Sequence, residues 1–327
     1  MPRAPKVFFH DETYGITTAT EEGLPFPPNP LINLIIESCL ARAQKLYPVK
    51  INSYDVSTNH VHLVITAIDP ADIPRFMERF KTESSHAINR LVGRKKKTIW
   101  CEGYDSPALL TPEDVVRTIV YGFINPAKDN LADSIGAYPG LSSWRYRDGA
   151  TAVREVPWIR RSSISKLART DMTMEEVTQI AESYRNASTE KLELTITPNA
   201  WMRKFGITDP EEERKYTEDI KARVEAREKE YREERQSLNI PVMKATTLAL
   251  RPIDTLFTPK RSNEIRRTCR STDETLLHER LALVRDLTAQ ARDVRRRWRE
   301  GNTSARYPLG LFPPSMPRLG ENFFSRG

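Results

Sequence analysis

Apolar side chains along the first 150 residues recur with two periods, about 2 and about 3.6 residues. Alternating or β-branched segments predict strands, and apolar stripes at helical spacing predict helices between them. Asn29 before Pro30 and Thr111 before Pro112 are helix starts with a capping residue and a proline in the first turn. The predicted strands span 7–10 with 14–20, 49–56, 60–67 and 98–104, and the predicted helices begin at Asn29, Asp72 and Thr111, the last ending at Pro126.

The predicted order of elements in this region is β-α-β-β-α-β-α. This order indicates an α+β domain with one antiparallel sheet and helices packed on one face. Beyond it the pattern changes. Residues 192–197 alternate like a short strand, 210–236 form a helix that is almost wholly charged, and a helix after residue 271 carries a clean apolar stripe. We therefore predict two domains, one of residues 1–150 and a basic, mainly helical extension of residues 151–327.

Charge is distributed unevenly between these two parts. The 327 residues carry a net charge of +7, yet residues 1–150 contain 17 basic and 17 acidic residues, so the whole excess lies in residues 151–327. A basic excess fits an anionic partner such as nucleic acid, and it equally fits a merely basic soluble protein. The three cysteines have no metal-type spacing, which suggests free thiols in a reducing cytoplasm. We predict a cytoplasmic protein, because no run of 18 apolar residues and no apolar leader occur.

Two short motifs carry the candidate chemistry. His60 and His62 are two residues apart, so on a strand both imidazoles point to one face. Tyr121 and Asn125 are four apart, so on a helix they share one face. Imidazoles and a carboxamide can hold a divalent cation, and a tyrosine beside it can attack a phosphate. Each residue also has an ordinary interpretation: paired surface histidines, a tyrosine at the rim of the core, and an asparagine that ends a helix.

Taken together, these motifs resemble the single-tyrosine HUH transposases, and within them the REP-associated tyrosine transposases of bacteria. The resemblance is motif-specific over residues 5–145 and general in layout beyond. The matching segments are Ser57–Ile65, Ile73–Lys81, Ile99–Trp100, Tyr121–Pro126 and Tyr138–Trp144.

The resemblance implies a ferredoxin-like catalytic domain that acts on single-stranded DNA with hairpin-forming repeats. It implies that His60 and His62 are the metal ligands and that Asn125 completes the site for Mg²⁺ or Mn²⁺. Tyr121 would be the nucleophile that forms a 5′-phosphotyrosine link. One departure follows the Asn-Pro pair, where many members have arginine and this chain has Ala127 and Lys128.

Basic and aromatic residues near the motifs are candidate DNA contacts, since cations follow the phosphate backbone and aromatic rings stack on bases. For the Arg-Lys run that starts at Arg94, a solvated loop is the alternative, and Tyr104 is an alternative to Trp100 for stacking. The predicted DNA-binding residues are Lys81, Arg90, Arg94, Lys95, Lys96, Lys97, Trp100 and Lys128.

Two other functions stay open. An inactive or domesticated relative would bind DNA hairpins without cutting, although all four catalytic positions are present. A metal-dependent hydrolase unrelated to DNA would not need Tyr121. A homodimer is among the assemblies left open, and the extension would either bind DNA or pack on the catalytic domain and support its folding.

Overall fold

The computed structural model describes residues 6–95, 98–169, 171–254 and 268–314. Within these ranges, seven strands form one sheet and seven α-helices surround it. The strands are β1 (Thr13–Ala19), β2 (Lys50–Val56), β3 (His60–Thr66), β4 (Ala108–Leu109), β5 (Ala152–Pro157), β6 (Lys191–Ile196) and β7 (Cys269–Arg270). The helices are α1 (Pro30–Leu46), α2 (Asp72–Val92), α3 (Pro112–Lys128), α4 (Met174–Ala187), α5 (Pro210–Ser237), α6 (Ala245–Ala249) and α7 (Glu274–Arg299).

The helix starts of the first 150 residues lie where the capping signals predict them. The Asn29 side chain accepts a hydrogen bond from the backbone of Ile32 at 3.0 Å, and Thr111 forms a reciprocal capping box with Asp114. These contacts satisfy backbone donors that have no partner within the first helical turn. The predicted α1, α2 and α3 are confirmed, as are β1, β2 and β3 to within about one residue.

The strand order of the sheet is β5-β6-β2-β3-β1-β4-β7. β3 pairs antiparallel with both β1 and β2, and β4 pairs antiparallel with β1. The central order β2-β3-β1-β4 is that of a ferredoxin-like sheet. The predicted α+β class with an antiparallel, ferredoxin-like sheet is confirmed.

Helices cover the two faces of this sheet differently. Val61, Leu63 and Ile65 of β3 lie in one apolar cluster with α1 and α2, and we call this side the α1/α2 face. Val64 lies in a second cluster with α3 and α5, which we call the α3 face. The sequence predicted helices on one face only. α1 and α2 pack there as expected, whereas α3 lies on the opposite face.

Three local predictions need correction. Residues 7–10 form no strand, and in place of the predicted strand 98–104 there are only isolated bridges of Trp100 with Thr20 and of Asp105 with Thr17. Gly103 has a φ of 71°, a left-handed conformation that interrupts an extended strand. α3 also continues past Pro126 to Lys128, because proline removes a single hydrogen bond and the last turn tolerates that loss.

The extension joins both edges of the sheet. β6 pairs with β2 at Ile51 and Ile196, and β7 pairs with β4 at the other edge. The predicted strand near 192–197 and the predicted charged helix are confirmed as β6 and α5, whereas β5, α4 and β7 were not predicted. The division into two domains at residue 150 stays a prediction, and strands from both sides of that boundary share one sheet.

Candidate nucleic-acid processing site

The β3 strand places both histidines of the HxH motif on the α3 face. Successive side chains of a strand alternate between its two faces. The apolar side chain between the two histidines and the one directly after them therefore point to the α1/α2 face. His62 lies opposite Thr17 of β1 and opposite Asp55 of β2 in the pairing register. The histidine pair therefore lies on a central strand of the sheet, with polar neighbours on both sides.

Hydrogen bonds orient the two imidazole rings. Their centroids are 4.7 Å apart in an edge-to-face arrangement. His60 Nδ1 donates to Asn59 Oδ1 at 2.7 Å, and His62 Nδ1 is hydrogen-bonded to Thr17 Oγ1 at 3.0 Å. In the tautomer in which both Nδ1 atoms donate, each Nε2 keeps a lone pair, as in metal-binding histidines whose second nitrogen is held by a neighbour. His62 Nε2 is buried and has no hydrogen-bond partner within the described ranges.

Both imidazoles are favoured in their neutral form. Burial lowers the pKa of His60, and burial together with the neighbouring His60, Lys128 and Arg270 lowers the pKa of His62 well below its usual range. A neutral imidazole can donate a lone pair to a cation, whereas a protonated one cannot. The pair is thus in the ionisation state that metal ligation requires.

Tyr121 lies on α3 directly above the histidines. Its ring centroid is 5.5 Å from that of His62, with the ring planes nearly perpendicular, and the side chain is 41% exposed. Lys128 Nζ donates a hydrogen bond to Tyr121 Oη at 3.1 Å. Burial opposes the charge of this ammonium group, but the hydrogen bond to Tyr121 prevails and raises the pKa of Lys128. The hydroxyl is therefore accessible to a large substrate and in contact with a fixed positive charge.

Asn125 occupies the next turn of α3 and points inward. The residue is 1% exposed, and its Nδ2 atom is buried without a partner among the described residues. A half-turn of the carboxamide would exchange this nitrogen for the carbonyl oxygen, which is a suitable ligand for Mg²⁺ or Mn²⁺. Throughout the described ranges, no three His, Cys, Asp or Glu side chains converge as a metal site. The residues present fit a cation held by two imidazoles and a carboxamide, with the remaining positions left to substrate oxygen or water.

A cavity of about 260 Å³ opens beside His62 and Tyr121. Its lining includes Asp55, Asp105 and Arg270, none of which was predicted from the sequence as a site residue. Asp55 is fully buried and accepts a hydrogen bond from Ser57 at 3.1 Å, and burial raises the pKa of Asp55 to about 8. The alternation of β2 could have indicated Asp55, since it lies on the same face as the histidines. Arg270 reaches the cavity from the extension.

Two predicted DNA contacts bind the protein's own backbone. Lys81 Nζ donates to the carbonyl oxygens of Cys101 and Gly103 at 2.8 and 2.5 Å. Arg90 Nε donates to the carbonyl oxygen of Ile164 at 3.2 Å, which attaches a segment of the extension to α2. Both residues also line a groove of about 740 Å³ along the outer side of α2.

The remaining predicted contacts divide between this groove and other positions. Arg94 lines the groove, Lys95 is the next residue and is exposed, and Lys96 and Lys97 lie outside the described residues. The predicted stacking role of Trp100 needs correction, because the residue is 1% exposed and donates its ring N–H to Ser84 Oγ at 2.9 Å. A buried indole cannot stack on a base. Lys128 contacts Tyr121 as described above.

Comparison with known proteins shows a family similarity over part of this chain. Residues 29–116 match the family described as "Transposase IS200 like", and over this segment the resemblance indicated by the motifs is confirmed. The matched segment contains His60 and His62 and ends before Tyr121. No curated protein matches the chain. One solved structure with similarity is described as "Structure of the REP associates tyrosine transposase bound to a REP hairpin". It shares 19% identity, covers 45% of this chain and 85% of that chain, and has a TM-score of 0.40.

None of the helices in the described ranges has the length and apolar character needed to cross a membrane.

Proposed function

We propose that this protein is a metal-dependent transposase that cleaves and rejoins single-stranded DNA through a covalent 5′-phosphotyrosine at Tyr121. The observation that carries the proposal is the arrangement around the Tyr121 hydroxyl. An exposed phenol lies against a neutral His62 whose Nε2 has no partner among the described residues, and Lys128 contacts its oxygen. The match of residues 29–116 to IS200-like transposases supports the same reaction class.

Each residue has a distinct part in the proposed chemistry. A divalent cation held by His60, His62 and Asn125 would polarise the scissile phosphate. Tyr121 Oη releases its proton and forms a bond to phosphorus. The bond from phosphorus to the 3′ oxygen breaks, and this oxygen takes up a proton and leaves as a 3′-hydroxyl. Lys128 stabilises negative charge on the attacking oxygen, since its N–H already points at that atom. The phosphotyrosine conserves the energy of the broken bond, so rejoining needs no ATP.

The groove along α2 supplies a path for the DNA backbone in this proposal. Arg90 and Arg94 line the groove, and so do Gly103 and Tyr104 at the sheet edge. The next residue, Asp105, lines the cavity beside Tyr121. A strand that follows the groove would therefore reach the nucleophile at this edge. Hairpin-forming repeats are the substrate class that the resemblance to REP-associated transposases favours.

A covalent-adduct assay tests the proposal. Full-length protein is incubated with Mg²⁺ and labelled single-stranded oligonucleotides from the DNA that flanks the gene, and adducts are resolved on a denaturing gel. Tyr121→Phe should bind DNA and form no adduct, because the substitution removes only the hydroxyl. Tyr47→Phe, the same change at the end of α1, is the matched control and should retain the adduct.

The outcomes separate the alternatives. An adduct that persists in Tyr121→Phe would refute the assignment of the nucleophile. Tight hairpin binding by the wild-type protein with no adduct on any oligonucleotide would favour a relative that binds without cutting. Failure of the wild-type protein both to bind any oligonucleotide and to form an adduct would favour a metal-dependent hydrolase unrelated to DNA.

A further inference from the structure

Arg270 brings the extension into the cavity beside the nucleophile. It is the second residue of β7, which pairs in parallel with β4 so that Leu109 and Arg270 are partners. Its neighbour Cys269 is buried in the apolar cluster of the α1/α2 face. Because side chains alternate along a strand, Arg270 points to the α3 face, where it lines the cavity together with His62 and Tyr121.

The backbone that carries Arg270 is attached to the helix that carries Tyr121. Asp114 in the first turn of α3 accepts a hydrogen bond from the backbone N–H of Thr272 at 2.8 Å. The other oxygen of the same carboxylate accepts from the backbone N–H and the hydroxyl of Thr111, at 2.9 and 2.7 Å. One buried carboxylate thus joins the start of α3 to the residue two positions beyond Arg270. The backbone next to Arg270 is therefore held against the first turn of the helix that carries Tyr121.

A second anchor holds α7, the helix that follows. Arg280 forms an ion pair with Glu12. Glu12 also forms an ion pair with Lys204 at 3.1 Å and accepts a hydrogen bond from the Tyr14 hydroxyl at 2.7 Å. Glu12 and Tyr14 are buried residues at the start of β1. This cluster attaches the extension to the central sheet, so the placement of Arg270 does not depend on the short strand β7 alone.

Arg270 is exposed, and within the described part of the chain its side chain makes no hydrogen bond or ion pair. Lys128, the other cation near His62, is already bonded to Tyr121. Two carboxyl groups, Asp55 and Asp105, also line the cavity.

We propose that Arg270 binds a backbone phosphate of the DNA strand in this cavity, so that the extension completes the active site. The proposal rests on the proposed function for the class of ligand. A guanidinium presents two parallel N–H donors that match two phosphate oxygens, and it stays charged at any pH at which the protein is folded. Arg270 would position the strand for attack by Tyr121, and deleting the extension would remove this contact as well as the general positive charge.

Binding measurements in the Tyr121→Phe background test Arg270 without turnover. Labelled single-stranded oligonucleotides from the flanking DNA are titrated over a range of salt concentrations. Arg270→Ala should weaken binding about tenfold or more, because a lost hydrogen-bonded ion contact has that size. The log–log salt slope should become shallower by about 0.7, the value for one phosphate on a single strand. Arg270→Lys should restore the slope and only part of the affinity.

Arg203→Ala is the matched control, since it removes an exposed arginine of the extension outside the cavity. It should leave affinity and slope close to those of the parent. Thermal midpoints confirm that each variant is folded, and Arg270→Gln replaces Arg270→Ala if the latter is unstable. Equal affinity and slope for folded Arg270→Ala and parent would overturn the proposal. If the wild-type protein forms no adduct but Arg270→Ala still weakens DNA binding, the proposed cleavage is refuted and the phosphate contact stands.

Discussion

The two faces of the central sheet differ in packing and polarity although the same strands form both. On the α1/α2 face, side chains such as Leu63 are buried among apolar residues of both helices. On the α3 face, the adjacent His62 lies at a cavity with Asp55, Tyr121 and Arg270. The first face is closed by packing. The second keeps ionisable groups beside open space, and one buried imidazole nitrogen there has no partner among the described residues.

One face of the sheet thus contributes mainly to stability, and the opposite face of the same strands carries the candidate site. Burying an apolar side chain contributes about 1.5–3 kcal/mol, whereas a buried polar atom without a partner costs about 1–3 kcal/mol. The α1/α2 face thus stabilises the sheet on which the α3 face holds its unsatisfied groups. Such groups concentrate at functional sites because a ligand can satisfy them.

Removal of residues 151–327 tests whether the two faces persist without the extension. β6 covers the β2 edge, and Ile220 and Val224 of α5 pack against α3, so a fragment of residues 1–150 exposes both. We expect this fragment to be largely insoluble or unfolded, as measured by soluble yield and circular dichroism beside the full chain. A folded fragment that still forms the adduct would instead establish residues 1–150 as an independent catalytic domain.

Two adjacent substitutions on β3 contrast the faces directly. Leu63→Ala should lower the free energy of unfolding by about 2–5 kcal/mol, because it leaves a cavity in a packed core. His62→Ala should have a much smaller effect on stability and should abolish Mg²⁺-dependent adduct formation, as should EDTA with the wild type. Urea denaturation and the adduct gel measure both quantities. Equal destabilisation by the two variants would contradict the different contributions of the two faces to stability. An adduct that still forms in EDTA would contradict a metal site on the α3 face.

Asp55→Asn tests the electrostatic character of the α3 face. The folded protein keeps the Asp55 proton up to a pKa of about 8, whereas the unfolded chain releases it near about 3.9. Wild-type stability from this group is therefore present at low pH and is lost as pH rises between these values. Asn is neutral throughout. The free energy of unfolding of the variant, relative to that of the wild type, should therefore increase by a few kcal/mol as pH rises from about 4 to about 8. Denaturation of both metal-free proteins across this pH range measures the difference in their unfolding free energies. A difference that does not change with pH would refute a buried, protonated Asp55 carboxyl group.

Lys128→Gln should have the smallest of these effects. The substitution removes a charge from the Tyr121 hydroxyl on the partly exposed rim of the site. We expect the rate of adduct formation at saturating DNA to fall about tenfold, with unfolding stability nearly unchanged. Lys128→Arg should recover most of the rate. If only the DNA affinity changes, Lys128 is a backbone contact, as the sequence predicted, and does not assist the nucleophile.

Local patterns in the sequence determined a large part of this protein. Caps and helical stripes located α1, α2 and α3, and β-prone runs located β1, β2 and β3. The two-residue spacing of His60 and His62 put both on one face of a strand, and the four-residue spacing placed Tyr121 and Asn125 on successive turns of a helix. These features could be predicted because backbone periodicity depends on residues close together in the chain.

Tertiary structure decided what long-range contacts control. Strand β7 has only two residues and exists because it pairs with β4, so no local pattern marked it or its Arg270. Trp100 resembled a stacking residue in sequence, yet Phe26 and Phe80 enclose its ring. Lys81 was predicted to contact DNA, and the folded chain presents it with two backbone carbonyls. The environment of a side chain is set by residues distant in sequence, because burial and charge depend on which surfaces meet when the chain packs.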